Sequence, residues 1–239
     1  SMSSSTRLKQ AAALASMIAG VTCLAATCGP KATEKQINKS NLHLEMANAS
    51  LEEGRVVDAR REALLAIEAW PKNPDAHFTL AYVFGQMNEW GKAEDEARLA
   101  IKYAKHYPEA SNLLGVTLIE QGRYKEAVDV LLEVTQDFLF TTPHLAYGNL
   151  GLAYTKMGEY DEAIEALQRS VELQPMFCVG NYRLGVAYWK QERLKDALLA
   201  LGKAVETEDP WKQCARLQDA WRVIGIIQEG LGAEEEAAE

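Results

Sequence analysis

The sequence predicts an all-α protein, a right-handed superhelix of about six stacked helical hairpins. A short triplet recurs first: Glu53-Gly54-Arg55, Met87-Asn88-Glu89, Gln121-Gly122-Arg123, Met157-Gly158-Glu159, Gln191-Glu192-Arg193 and Leu231-Gly232-Ala233, with middle residues 34, 34, 36, 34 and 40 positions apart. Seven residues before each middle residue stands Ala47, Ala81, Gly115, Gly151, Gly185 or Gly225, and five after it stands Ala59, Ala93, Ala127, Ala163, Ala197 or Ala237. Two antiparallel helices come close only where their side chains shrink at the crossing, so small residues at both places make each unit a hairpin that turns at its triplet.

The first residues of the chain are unlike the rest. Ser1 ahead of Met2 reads as a cloning scar, and basic Arg7 and Lys9 precede an uncharged run from Ala11 to Val21 that is too short to span a bilayer. The run ends in small residues, as a cleavable export signal does, so residues 1–27 read as a signal peptide. Leu24-Ala25-Ala26-Thr27-Cys28 resembles a bacterial lipoprotein signal, which implies an acylated Cys28; Cys23 is the alternative, and an ordinary secretory signal is the plainer reading. Several acyl chains hold a protein where one does not, since each buried methylene adds about 0.8 kcal/mol. Gly29 rather than Asp after the cysteine implies, by that resemblance, the outer membrane, with the protein facing the periplasm. Residues 28–39 then form a short polar linker.

The units follow at about 40–73, 74–107, 108–143, 144–177, 178–211 and 218–239. Trp90, Tyr124, Tyr160 and Leu194, each two residues after a turn, fill the space between one hairpin and the next, and units close near Pro71, Pro108, Pro143, Pro175 and Pro210, which cannot continue a helix. The fullest pattern lies between His144 and Pro175, with Tyr147, Leu150, Gly151, Tyr154, Gly158, Tyr160 and Ala163 in place. Period and residues together resemble the tetratricopeptide repeat, which implies a concave groove lined by the first helix of every unit.

A groove binds and rarely catalyses. Its fifth, ninth and twelfth helix places hold Phe78, Tyr82, Asn112, Val116, Ile119, Leu152, Thr155, Tyr182, Val186 and Trp189. So apolar a wall suggests a protein or peptide partner, with Tyr82, Ile119, Tyr182 and Trp189 as candidate contacts; packing of these residues against the next unit is the competing reading. The chain has 25 basic and 34 acidic residues, for a net charge of −9, which argues against nucleic acid. Four scattered histidines (His43, His77, His106, His144) lack metal-ligand spacing, and no phosphate loop is present. The carboxylates Glu133, Asp137, Asp161, Glu162 and Glu165 fall on second helices, outside the groove. Neither a catalytic residue, a metal, a cofactor nor a small-molecule substrate is expected.

Export would bring Cys178 and Cys214 into an oxidising compartment. Both fall at the same edge of adjacent hairpins, so a Cys178–Cys214 disulfide is expected, for which chain entropy suggests roughly 3 to 4 kcal/mol; two buried thiols are the alternative.

Residues 112–157 read NLLGVTLIEQGRYKEAVDVLLEVTQDFLFTTPHLAYGNLGLAYTKM. The EQ-x-RY-x-EA core, TQD, a longer connector carrying aromatic residues and proline, then NLGL resemble the pilotins of type IV pili, repeat lipoproteins of the outer membrane. The resemblance implies a non-enzymatic assembly factor whose partner is the secretin of the pilus machine, helped to reach the outer membrane and to form multimers. A cytoplasmic co-chaperone would need more groove cations than Lys156 and Lys190. A periplasmic repeat scaffold for envelope or cell-wall enzymes is the remaining alternative.

Overall fold

The computed structural model describes residues 31–206 and 218–238, with the side chains of the last helix described as far as Leu231. All regular structure among them is helical: α1 (Glu34–Glu52), α2 (Val56–Ala69), α3 (Pro74–Gln86), α4 (Trp90–Tyr103), α5 (Pro108–Glu120), α6 (Tyr124–Thr135), α7 (Pro143–Met157), α8 (Tyr160–Leu173), α9 (Cys178–Lys190), α10 (Leu194–Glu206) and α11 (Gln218–Ala238). None is long and apolar enough to cross a membrane.

Helix α1 begins inside the stretch expected to be a linker. Thr33 explains the early start: its hydroxyl accepts from the Gln36 amide at 3.3 Å while its own amide donates to Gln36 Oε1 at 2.9 Å, a capping box. Pro74, Pro108 and Pro143 are each the first helical residue, where proline's missing N–H costs nothing.

Each hairpin turns at its expected triplet. The middle residues Gly54, Asn88, Gly122, Gly158 and Glu192 have φ of 73°, 58°, 76°, 81° and 61°, the left-handed conformation that ends a helix. The next residue then closes the same bond in every turn: Arg55, Glu89, Arg123, Glu159 and Arg193 donate their amides to the carbonyls of Ser50, Phe84, Leu118, Tyr154 and Tyr188 at 2.8 to 3.0 Å.

At the crossing the small residues do what their spacing implies. A Cβ placed on Gly115, Gly151 or Gly185 would lie 2.6, 2.4 or 2.5 Å from Leu131, Leu167 or Leu201 of the second helix, so each leucine fills a notch left by the missing side chain. Ala59, Ala93, Ala127, Ala163 and Ala197 are fully buried. The core is therefore a series of clusters along the stack, each shared between neighbouring hairpins. Arg123, the residue that precedes α6, adds a polar link between units, donating to Glu94 of α4 at 2.6 Å and to Glu126 of α6.

The sixth unit differs from its expectation. Helix α11 runs from Gln218 to Ala238 without turning at Leu231-Gly232-Ala233, so the described stack is five hairpins and one further first-type helix. The expected turn had weak sequence support. Gly232 stands among residues that all tolerate helix, followed by Ala-Glu-Glu-Glu-Ala-Ala, a strongly helix-forming run.

Candidate functional site

Successive first helices pack against one another along the stack (α1 on α3, α3 on α5, α5 on α7, α7 on α9, α9 on α11), whereas second helices are held apart by them. First helices therefore line the inner wall, and the functional question is what that wall presents.

Of the four candidate contacts, only Tyr82 is freely presented, at 44% exposure on α3. Ile119 is corrected: it is 5% exposed and packed in the cluster with Leu114, Leu118 and Leu150, because the twelfth place of α5 faces α7 rather than the groove. Tyr182 and Trp189 are half-buried against the last core cluster. Burial raises the Tyr182 phenol above its ordinary range, and Asp219 of α11 adds to the effect. Trp189 keeps one face under the Lys190 ammonium, 4.9 Å from the ring centroid. Phe78 is engaged as well, its ring 5.3 Å from that of Tyr107.

Polar sutures cross the wall where an apolar surface was expected. Thr79 donates to Asn48 Oδ1 at 3.2 Å, the Tyr107 hydroxyl to Asp75 at 2.7 Å, and Asn149 to Asn112 Oδ1 at 3.1 Å. Arg183 closes the series, donating from one guanidinium nitrogen to the Gly148 carbonyl and to Asn149 Oδ1, both at 3.0 Å. A side-chain hydrogen bond thus joins α1 to α3, α5 to α7 and α7 to α9, and Tyr107, the residue that precedes α5, joins that helix's start to α3. Burial pulls the Arg183 pKa down to about 10, with Glu120 opposing it, and its hydrogen-bond partners among the described residues are neutral. Sequence reasoning missed this arginine. The signal was available in register, since Thr79, Asn149 and Arg183 share the sixth place of their units.

On the last first helix, Ile226 at the ninth place is exposed like Tyr82, and further exposed apolar groups lie off the wall. The connector after α6 presents Phe138 at 92% exposure with Leu139 beside it, while Phe140 turns inward onto Val134 and Ala146. Near it a crevice of about 560 Å³ opens between α6 and α8, floored by Tyr147, Leu150 and Tyr154 and rimmed by Glu162, Glu165, Glu172 and Arg169.

The histidines are structural in geometry. His43 and His77, at the same place in their units, pair with Glu62 and Glu96 of their own second helices at 2.8 and 2.5 Å, and His106 with Asp137 at 2.8 Å. Among the described residues no group of His, Cys, Asp and Glu is placed to hold a metal. Cys178, the first residue of α9, is buried. Cys23, Cys28 and Cys214 lie outside the described residues.

Hairpins of this period, with the left-handed turn and the small-residue crossing, define a protein built of tetratricopeptide repeats. Family models described as tetratricopeptide repeat match residues 78–137 and 144–177. The chain is homologous to the type IV pilus assembly protein PilF of Pseudomonas aeruginosa, 31% identical over 145 residues that cover 60% of this chain and 58% of that protein. A solved structure of P. aeruginosa PilF superposes with a TM-score of 0.67 at 22% identity, covering 86% of this chain and all of that one. That of PilW, described as a widely conserved type IV pilus biogenesis factor, superposes equally well (TM-score 0.67) at 23% identity, over 81% of this chain and 92% of its own. At those identities the superpositions speak for the fold.

Proposed function

We propose that this protein is a pilotin: an outer-membrane lipoprotein, facing the periplasm, that binds secretin subunits and promotes their localisation and multimerisation for type IV pilus assembly. The similarity to PilF, 31% identical over 145 residues, carries the reading. The protein acts by holding another chain and performs no chemistry on it. Acylation at Cys28 supplies location, and the inner wall around Tyr82, with the open faces of Tyr182 and Trp189, supplies an apolar surface for a secretin segment. Cys178 pairs with Cys214, tying the start of α9 to the segment before α11.

The test is deletion followed by immunoblotting of unheated envelope fractions for the secretin. Secretin multimers disappear while monomer persists, and restoring the wild-type chain brings them back. A Cys28→Ser chain fails to incorporate labelled palmitate and to restore multimers at the outer membrane. Normal multimers in the deletion strain refute the proposal and favour a scaffold for other envelope proteins. Mass spectrometry of exported protein, with and without reductant, reads the Cys178–Cys214 pairing directly.

A further inference from the structure

Helix α11 occupies the place of a first helix whose partner is missing among the described residues. Its inward stripe is used: Ala220, Val223 and Ile227 are buried against the last core cluster beneath α9 and α10. Among the described residues, nothing covers the stripe that in every other unit meets the second helix. Gly225 stands at the eighth place, where Gly115, Gly151 and Gly185 each receive a leucine at 2.4 to 2.6 Å from an ideal Cβ, yet no described atom lies within 4 Å of the same point on Gly225. Trp221 stands at the fourth place, where His43 and His77 pair with their second helices, and it is 64% exposed. Gln228, at the eleventh place, is exposed where Phe84, Leu118 and Tyr188 are buried.

We infer that the open stripe Trp221–Gly225–Gln228 is a docking site for an amphipathic helix of another chain, one that presents a small residue and a leucine four positions apart. The stack states the chemistry of the occupant, since Leu131, Leu167 and Leu201, each four residues after a fully buried alanine (Ala127, Ala163, Ala197), fill the three glycine notches. Docking continues the same helix-on-helix interface by one member. A second copy of this chain does not supply that helix, because its own second helices are engaged and its α11 offers glycine where a leucine is needed. The site lies at the end of the stack and is independent of which machine the protein serves.

The probe is a hydrocarbon-stapled peptide copying Tyr160–Leu173, titrated into the full chain by calorimetry, with the indole N–H resonance of Trp221 followed by NMR. The peptide binds and shifts that resonance. Gly225→Leu, which fills the notch on an open surface, weakens binding at least about tenfold, as does replacing the peptide's leucine corresponding to Leu167 with alanine. Trp221→Ala gives the same loss and serves if Gly225→Leu alters the circular dichroism of the protein. Absence of binding, or equal binding to Gly225→Leu and wild type, overturns the inference. So does a concentration-dependent dimer in sedimentation velocity that Trp221→Ala abolishes, since the stripe is then closed by a second copy.

Discussion

Adding one methyl group at Gly151 measures how tightly the hairpins are closed. A Cβ there would stand 2.4 Å from Leu167 Cγ, 2.9 Å from its Cδ2 and 3.0 Å from the Ala163 carbonyl. Leucine can rotate away from the first two contacts, but the carbonyl belongs to the backbone of α8, so relief requires α7 and α8 to separate. Overpacking of this kind costs about 2–3 kcal/mol. Removing glycine from a helix interior returns about 1 kcal/mol. Gly151→Ala is therefore destabilising by about 1–2 kcal/mol, a fall of roughly 2–8 °C in Tm for a chain of this size. Gly225→Ala is the control, for it meets nothing within 4 Å and keeps only the helix-propensity gain of up to about 1 kcal/mol. The assay is thermal melting by far-ultraviolet circular dichroism, with hydrogen exchange to localise the effect, because repeat arrays unfold in parts. The amides of α7 and α8 should lose protection in Gly151→Ala and retain it in Gly225→Ala. Equal stabilisation by both substitutions would show that the crossing has room to spare and would refute the notch argument throughout the stack.

Three further outcomes follow from particular residues. Glu192 holds φ at 61° without glycine's freedom, so Glu192→Gly raises stability by about 0.5 kcal/mol in urea denaturation, the strain relieved exceeding the added unfolded-state entropy; a loss of stability contradicts it. For His77, burial lowers the pKa but the bonds to Glu96 and the Pro71 carbonyl outweigh it, and the net shift is upward. Its contribution is thus fully present below the unfolded value of about 6.5 and lost as pH rises through the folded value; His77→Gln should flatten that part of the stability profile, and an unchanged profile assigns the pH dependence elsewhere. Replacing Arg183 by leucine leaves Asn149 Oδ1 without its donor and the Gly148 carbonyl with only its partner in the helix, which costs about 1–3 kcal/mol. A change below about 0.5 kcal/mol means that water replaces the guanidinium at no loss.

Much of the fold is legible because one packing rule is written repeatedly. The left-handed residues at 54, 88, 122, 158 and 192 fall where the triplets put them, including Asn88 and Glu192, where no glycine marks the turn. The rule failed where local chemistry favoured continuation. Thr33 and Gln36 started α1 early, and Ala233 to Ala238 carried α11 through its expected turn. The inner wall was less legible, because a first helix uses adjacent stripes both for the next unit and for the groove. Tyr82 at the ninth place and Ile119 at the twelfth both read as groove positions; one is exposed and the other is core.

The sequence by itself determined the hairpins, their turns and their crossings, since each depends on residues within one unit and a fixed spacing. Only the tertiary structure decided which inner-wall residues remain available, because that depends on how far a side chain reaches into the neighbouring unit. Arg183 spans from α9 to the Gly148 carbonyl of α7, and nothing in the spacing of either helix records that distance. Likewise the stripe on α11 is open because no described helix lies against it, a fact about neighbours in space rather than neighbours in the chain.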